Sequence, residues 1–279
     1  MATSRIEWLA SEDGMPGMTW NPVTGCTPIS PGCAHCYARA MARRLVGRCG
    51  YPADEPFRVT LRPERLEEPL RWKRPRRVFV VSMGDLFHDE VPDEFIDRIM
   101  AVVARAPNHI FLVLTKRPDR MLEYFADPNL SRRPEIDLWR CTIAASWAQH
   151  YYDEIPETLW PLPNLWLGVT AEDQQRANER VSLLLQIPAA VRFVSVEPML
   201  EAVDLSSWLP SIDWVICGCE TGPQARPMEV DWARSLRNEC QEAGVPFFLK
   251  AMRVDGKVVK LPLLDGRIWN QVPSSPRER

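Results

Sequence analysis

Three cysteines that lie close together in the sequence are the residues of this chain with the clearest potential for chemistry. They are Cys26, Cys33 and Cys36, spaced C-x6-C-x2-C in the run CTPISPGCAHCY. Three thiolates can bind a zinc ion or three corners of an iron–sulfur cluster, and either centre then needs one more ligand. In a catalytic site, that remaining position is where a substrate or cofactor binds.

The residues around these cysteines predict a stiff turn followed by a helix. Two prolines and a glycine separate Cys26 from Cys33, which favours a turn over a helix or strand. The run YARAMARRL after Cys36 is rich in good helix formers. The cysteines are therefore expected at the amino-terminal end of a helix, where the helix dipole favours thiolates.

The composition is that of an ordinary globular protein. The chain has 279 residues, 46% of them apolar and 25% charged, enough for one large domain or two small ones. A formal net charge of −3 argues against a wholly basic nucleic-acid wrapper. No segment has the length of a membrane span, and the amino terminus has no apolar core of the signal-peptide kind. We therefore expect a cytoplasmic protein without membrane contact, whose clustered cysteines bind metal or take part in catalysis.

Short apolar runs alternate with helical patterns along most of the chain. Runs rich in β-branched and aromatic residues predict strands that are buried on both faces. The predicted strands are 18–24, 78–82, 109–115, 165–169, 191–196, 213–218 and 245–250. The predicted helices are 93–106, 118–126, 173–186 and 231–243. This alternation predicts an α/β fold in which parallel strands alternate with helices and form a partial or full barrel.

The domain organisation follows from where this alternation is interrupted. Residues 1–250 are expected to form an α/β barrel-like domain, with an irregular insertion at about 128–163 that is rich in prolines and aromatics. Residues 251–279 are expected to form a carboxy-terminal hairpin or tail, because Asp255-Gly256 and Asp265-Gly266 are turn signals.

Polar or charged residues follow nearly every predicted strand. In parallel α/β folds, the carboxyl ends of the strands form the face where ligands bind. His88 follows the second strand on the same face and is a candidate ligand or proton donor. We therefore expect a site around the cysteine loop, residues 26–36, that is built from Ser82, Gly84, Asp85, Lys116, Thr170, Glu172, Glu197, Glu220 and Lys250.

Several longer motifs resemble a known family. The segments TWNPVTGC, SPGCAHCYA, VSMGDLFHDEVPDEFID, VLTKRP, LWLGVTAED and VRFVSVEPML resemble an uncharacterised bacterial and phage-associated protein family. That family is in turn similar to a divergent branch of the radical S-adenosylmethionine (radical SAM) superfamily. The resemblance implies a partial α/β barrel with a 4Fe-4S cluster on Cys26, Cys33 and Cys36. It further implies cleavage of S-adenosylmethionine, hydrogen abstraction from an unidentified substrate that could be a nucleic acid, and an electron donor such as a flavodoxin or ferredoxin.

The resemblance also assigns expected roles to the strand-end residues. The segment Ser82 to Asp85, including Gly84, would meet the methionyl amine of S-adenosylmethionine, and Thr170 and Glu172 would contact its ribose. Adenine or substrate contacts would come from Glu197 and Glu220. From their positions after predicted strands, Lys116 and His88 are expected to act with them in catalysis. The superfamily's commonest pattern is C-x3-C-x2-C with an aromatic residue before the last cysteine. Here the first gap is six residues, and the aromatic Tyr37 follows Cys36.

A zinc-stabilised nucleic-acid-binding or scaffold protein without catalysis is the alternative. The three cysteines could form a Cys3His zinc site with His88, for which His35 is less well placed because it lies between two ligands. The basic run 71–77, RWKRPRR, could then contact phosphates while Trp72 stacks on a base.

Overall fold

The computed structural model describes residues 4, 6–9, 14–127, 161–222 and 224–273. Residues 128–160 of the predicted insertion and residues 274–279 of the predicted tail lie outside the described residues.

An open, curled sheet forms the centre of the fold. The strands, in chain order, are β1 Gly17–Trp20, β2 Val23–Thr24, β3 Thr60–Leu61, β4 Arg77–Val80, β5 Ile110–Thr115, β6 Leu165–Thr170, β7 Val191–Val196, β8 Trp214–Gly218, β9 Phe247–Val254 and β10 Lys257–Lys260. Within the described residues, eight of them form one sheet in the order β1-β4-β5-β6-β7-β8-β9-β10. Neighbours from β1 to β9 pair in parallel, and β10 returns antiparallel to β9. The predicted α/β half-barrel is therefore confirmed.

Five helices of the described chain accompany these strands. They are Tyr37–Arg44, Asp93–Ala104, Pro118–Ala126, Gln174–Leu184 and Val230–Glu242. Asp173 caps the fourth of them, since its side chain accepts a hydrogen bond from the Arg176 backbone N–H at 2.8 Å. Alternate strand residues, such as Phe111 and Val113, pack with buried helix residues in one large apolar cluster. The last four of these helices thus cover one face of the sheet.

The other face of the sheet is filled by aromatic side chains and by the amino-terminal segment. Trp166, Phe193, Trp214 and Phe248 point to this side from four strands. The short 3-10 turn Glu7–Leu9 packs against them, with Trp8 and Leu9 both buried. The Trp8 ring lies 4.9 Å from Phe79 and 6.0 Å from Trp214, centroid to centroid. The concave side of the sheet is therefore a packed core.

The predicted first strand is divided in two. The sequence pattern favoured one strand over 18–24, but β1 ends at Trp20 and a separate β2 begins at Val23. Pro22 lies in the break, and its lack of a backbone N–H prevents a continuous ladder. β2 leaves the main sheet and pairs antiparallel with β3, which directs the chain into the cysteine loop.

The carboxy-terminal part of the described chain extends the sheet. β9 continues past position 250 to Val254, and Asp255 and Gly256 both have positive φ in the two-residue turn to β10. A second small hairpin joins β11 Leu263–Leu264 to β12 Arg267–Ile268. The described helices include none that is both long and apolar enough to cross a bilayer.

Candidate active site

A cavity of about 770 Å³ lies at the carboxyl ends of the parallel strands. This volume is within the range of small-molecule and cofactor sites. The cavity is lined by the cysteine loop and by Ser82, Gly84, Asp85, Lys116, Thr170, Glu197, Glu220 and Lys250. Residues from opposite ends of the sequence therefore meet here because parallel strands present their carboxyl ends on the same side.

All three cysteines of the loop line this cavity as half-buried free thiols. Burial raises the pKa of Cys26 to about 11, and the neighbouring Asp85 carboxylate acts in the same direction. Burial also disfavours the Cys33 thiolate, but a backbone hydrogen bond at Ile29 and the positive charge of Lys116 outweigh it and lower the pKa of Cys33. The protein environment thus favours the thiolate at one of these two cysteines and the thiol at the other.

The donor set fits a sulfur-ligated metal centre in residue type and location. Thiolates are the ligands that zinc and iron–sulfur clusters prefer, and three of them share one cavity. No group of three or more His, Cys, Asp or Glu side chains among the described residues is already close enough to hold a metal ion.

Glu172 holds the cysteine loop from the end of β6. Its side chain is fully buried and accepts hydrogen bonds from the Gly32 backbone N–H at 3.3 Å, Lys116 Nζ at 3.1 Å and Arg180 Nη1 at 2.8 Å. Burial works against its ionisation, but the two cations outweigh it and lower the pKa of Glu172 to about 2. Glu172 is therefore a carboxylate at neutral pH whose bonds face the loop.

Glu220 holds the same loop from the far side, after β8. It accepts hydrogen bonds from His35 Nδ1 at 2.9 Å and from the backbone and guanidinium of Arg226. Arg226 also donates to the Pro31 carbonyl at 2.9 Å. Burial opposes the charge on Glu220, but the hydrogen bonds from Arg226 and His35 lower its pKa to about 2. Two strand-end acids thus fix the loop at Pro31, Gly32 and His35.

A third set of contacts, centred on Arg117, fixes the beginning of the loop. Arg117 Nη1 donates to the Cys26 sulfur at 3.3 Å and to Asp85 Oδ2 at 3.3 Å, and Nη2 donates to the Thr27 hydroxyl at 2.9 Å. Asp85 also accepts hydrogen bonds from the Thr115 hydroxyl at 2.7 Å and from the Phe87 and Lys116 backbone. The Asp85 carboxylate therefore fixes the end of β5 directly and the beginning of the cysteine loop through Arg117.

His88 lies behind the loop. Its Nδ1 accepts a hydrogen bond from the Glu90 backbone N–H, so the neutral ring donates from Nε2 to the Thr27 hydroxyl at 2.8 Å. Burial, aided by the nearby charge of Arg117, lowers the pKa of His88. Among the described residues, His88 and Glu172 are the two predicted site residues that do not line the cavity. A catalytic effect of His88 would have to act through Thr27.

The Ser82 to Asp85 segment approaches the loop through its backbone. The Gly25 N–H donates to the Met83 carbonyl at 2.8 Å, and a Cβ on Gly84 would lie 2.7 Å from the Gly25 carbonyl oxygen. The Tyr37 hydroxyl donates to the Ser82 carbonyl. Glycine is therefore required at position 84 for this close approach.

The wall opposite the cysteine loop carries a further ion pair and a thiol. Lys250 of β9 pairs with Glu197, which follows β7, and both line the cavity. Cys219 also lines it, and burial raises the pKa of its thiol, with the charge of Glu197 acting in the same direction. Thr170 reaches the cavity from β6.

Sequence reasoning assigned no role to the three arginines that hold this site together. Arg117 directly follows the predicted Lys116 at a strand end, so its position was a usable signal. Arg180 lies on the helix after β6, and Arg226 lies six residues beyond Glu220 in a loop. Their partners are set by the folded chain, and no spacing rule identifies them.

The basic run 71–77 lies away from the cavity. It precedes β4 and so lies at the amino end of the sheet, whereas the cavity is at the carboxyl end. Trp72 is 9% exposed, with the Arg76 guanidinium 5.6 Å from its ring, and Arg77 is buried. The expectation that Trp72 stacks on a base is therefore wrong. The zinc alternative proposed that the run 71–77 binds nucleic acid with Trp72 as the stacking residue, and Trp72 is not accessible for that role.

Comparison with solved structures gives two forms of spore photoproduct lyase. A doubly substituted form with bound AdoMet and dinucleoside spore photoproduct has a TM-score of 0.39 and 9% identity, over 84% of this chain and 63% of that chain. The present chain thus spans less than two thirds of that protein. A singly substituted form has a TM-score of 0.44 and 8% identity, over 90% and 81% of the two chains.

A comparison with curated proteins finds no match. The comparison with protein families gives one match, which extends over residues 3–273 and so includes the cysteine loop and every strand end described above. The chain therefore belongs to the DUF5131 family of proteins of unknown function.

Proposed function

We propose that this protein is a radical SAM-like iron–sulfur enzyme. The observation that carries the proposal is the meeting of three half-buried thiols and the polar ends of six parallel strands around one cavity of about 770 Å³. A thiol cluster that served structure alone would need no such cavity. The motif resemblance supports the same assignment, and the electron donor we propose is a flavodoxin or ferredoxin in the cytoplasm.

Cys26, Cys33 and Cys36 would hold a 4Fe-4S cluster, and S-adenosylmethionine would occupy the cavity beside it. When bound, the cluster would supply the electron that cleaves the cofactor's sulfonium. The chain's own contribution is to place a cation near two of the sulfur atoms, Arg117 at Cys26 and Lys116 near Cys33, and each cation favours negative charge on sulfur. At Cys26, Arg117 offsets only part of the opposing effect of burial and Asp85.

The strand-end acids act on the loop in this proposal. Glu172 and Glu220 accept hydrogen bonds from the loop and from neighbouring cations, so their acceptor positions are occupied. We assign them as positioning residues that keep the cysteines aimed at the cavity. Glu197, Lys250 and Thr170 line the cavity and are the candidates for direct contact with cofactor or substrate.

Anaerobic reconstitution with iron and sulfide tests the proposal. We expect about four irons per chain and a brown absorbance, and we expect the combined Cys26→Ala, Cys33→Ala and Cys36→Ala variant to lose both. Cys49→Ala is the matched control because that thiol is exposed and lies outside the loop. After reduction, addition of S-adenosylmethionine should alter the electron paramagnetic resonance spectrum and release 5′-deoxyadenosine. Stoichiometric zinc without iron would contradict the proposal.

A further inference from the structure

A surface rich in arginine lies next to the cysteine loop. The segment 37–50, YARAMARRLVGRCG, contains four arginines and no acidic residue, in a chain whose formal net charge is −3. Arg43, Arg44 and Arg48 are exposed. None of these three forms an ion pair with a carboxylate of the described chain. Together they are the arginine surface.

The helix Tyr37–Arg44 presents this surface outward. Ala38 and Ala42, four residues apart, are the buried positions and face the protein. The rest of the helix surface carries Tyr37, Met41 and the Arg43-Arg44 pair, all of which are exposed. Each of these side chains is therefore available to a partner.

The same helix begins at the cavity. Tyr37 directly follows Cys36, and Tyr37 and Ala38 both line the cavity. The Tyr37 hydroxyl is fixed to the Ser82 carbonyl, yet the residue is 54% exposed. An aromatic ring is thus held in place between the arginine surface and the cavity.

The lysines that line the cavity are paired with carboxylates, and the arginines of the arginine surface are not. Lys116 pairs with Glu172 and Lys250 with Glu197. The uncompensated positive charge beside the cavity therefore lies on the helix and the turn that follows it. An anionic partner is the complement to such a surface.

We propose that the arginine surface binds the phosphate backbone of a single-stranded nucleic acid and leads it to the cavity. Guanidinium groups match phosphate geometry, and an exposed, fixed ring beside them is the stacking platform of single-strand binding sites. An acidic protein could pair with the arginines, but its binding would not require the exposed aromatic ring of Tyr37. The inference deepens the proposed function and rests on it for the strand's role as substrate, but the binding itself needs neither cluster nor cofactor.

The test compares two adjacent basic pairs at opposite ends of the sheet. Binding of a labelled single-stranded oligonucleotide of about 20 nucleotides is measured by fluorescence anisotropy over a range of salt concentrations. The Arg43→Glu and Arg44→Glu variant should bind about tenfold more weakly than wild type, with a salt slope smaller by about 1.4 because about 0.7 is lost per phosphate contact. The Lys73→Glu and Arg74→Glu variant carries the same charge change at exposed sites and should bind within about twofold of wild type.

A third variant separates the contribution of aromatic stacking to oligonucleotide binding from that of charge. Tyr37→Ala should weaken binding about tenfold and leave the salt slope unchanged. Equal losses in the two charge variants, or no binding by the wild type at low salt, would overturn the inference. So would a wild type that binds a flavodoxin through Arg43 and Arg44 but binds no oligonucleotide. Failed iron reconstitution would instead count against the proposed function, and this binding assay would stay valid.

Discussion

Glu220 is a buried carboxylate whose hydrogen bonds join two distant parts of the chain. Its two oxygens accept from His35 and from three nitrogens of Arg226, so about four lone-pair positions are used. His35 belongs to the cysteine loop, and Glu220 follows β8. A single carboxylate therefore fixes the orientation of the loop relative to the sheet.

The lowered pKa of Glu220 predicts an acid-sensitive contact. Its pKa falls from the usual 4.5 to about 2 in the folded protein, so the folded state holds the charged form more strongly than the unfolded state does. This contribution to stability is present above about pH 4.5 and is lost as the pH falls towards 2. In urea unfolding at several pH values, Glu220→Gln should cost about 2 kcal/mol at pH 7 and progressively less below pH 4.5.

The exposed Glu179 provides the matched control, because Glu179→Gln makes the same chemical change on an outer helix. Its unfolding free energy should stay within about 0.5 kcal/mol of wild type at each pH. A Glu220→Gln cost that is the same at pH 7 and at pH 3 would show that the carboxylate's charge does not stabilise the fold.

Among the elements, the three-residue turn Glu7–Leu9 contacts both edges of the open sheet. Leu9 is fully buried, and a Cβ on Gly17 of β1 would lie 2.5 Å from the Leu9 Cβ. Glu7 also pairs with Lys260 of the edge strand β10. The turn thus joins both edges of the open sheet across its concave side.

Shortening Leu9 should therefore destabilise the whole fold. Leu9→Ala removes buried methyl groups from a site that the sheet cannot fill, and we expect a loss of about 2 to 5 kcal/mol in the free energy of unfolding. Leu263→Ala, at a residue that is 63% exposed, should change it by less than about 0.5 kcal/mol. Chemical denaturation followed by tryptophan fluorescence measures both. Equal effects would mean that the turn is not part of the core.

The strands and helices were predictable because each is a local pattern. Continuous apolar runs such as 191–196 identify strands buried on both faces, and the following helical pattern makes the sheet parallel. Pro22 itself was a signal for a break between β1 and β2, but the residues on either side of it favoured one continuous strand. The turn Glu7–Leu9 had none, because three residues are too few to show a period.

The location of the candidate site could be predicted from the sequence, but the hydrogen bonds within it could not. Strand ends converge in any parallel sheet, so the expectation that Lys116, Glu197, Glu220 and Lys250 lie near the cysteine loop needed topology alone. Which residues form hydrogen bonds with one another depends on distances in the folded chain. The contact of Arg226 with Pro31 spans 195 residues, and no local pattern encodes it.

At the scale of the whole molecule, the cavity is surrounded by charge pairs at the ends of several strands. Each acid at a strand end has at least one cationic partner, so the charge of the acid is compensated at the cavity wall. The four pairs are Asp85 with Arg117, Glu172 with Lys116, Glu197 with Lys250 and Glu220 with Arg226. Removal of one acid would leave the cavity more positive by one charge.

Under the proposed function, this pairing of charges predicts how the cavity would distinguish S-adenosylmethionine, whose sulfonium is positive, from S-adenosylhomocysteine, which lacks that charge. Glu197→Gln removes a negative charge from the cavity wall and leaves Lys250 without its partner. In the reconstituted protein, equilibrium dialysis should show affinity for S-adenosylmethionine reduced about threefold to tenfold and affinity for S-adenosylhomocysteine within about twofold. Glu179→Gln should leave both affinities unchanged. Equal losses for the two ligands, or losses explained by a lower melting temperature, would mean that Glu197 acts on folding and not on the charge of the cavity.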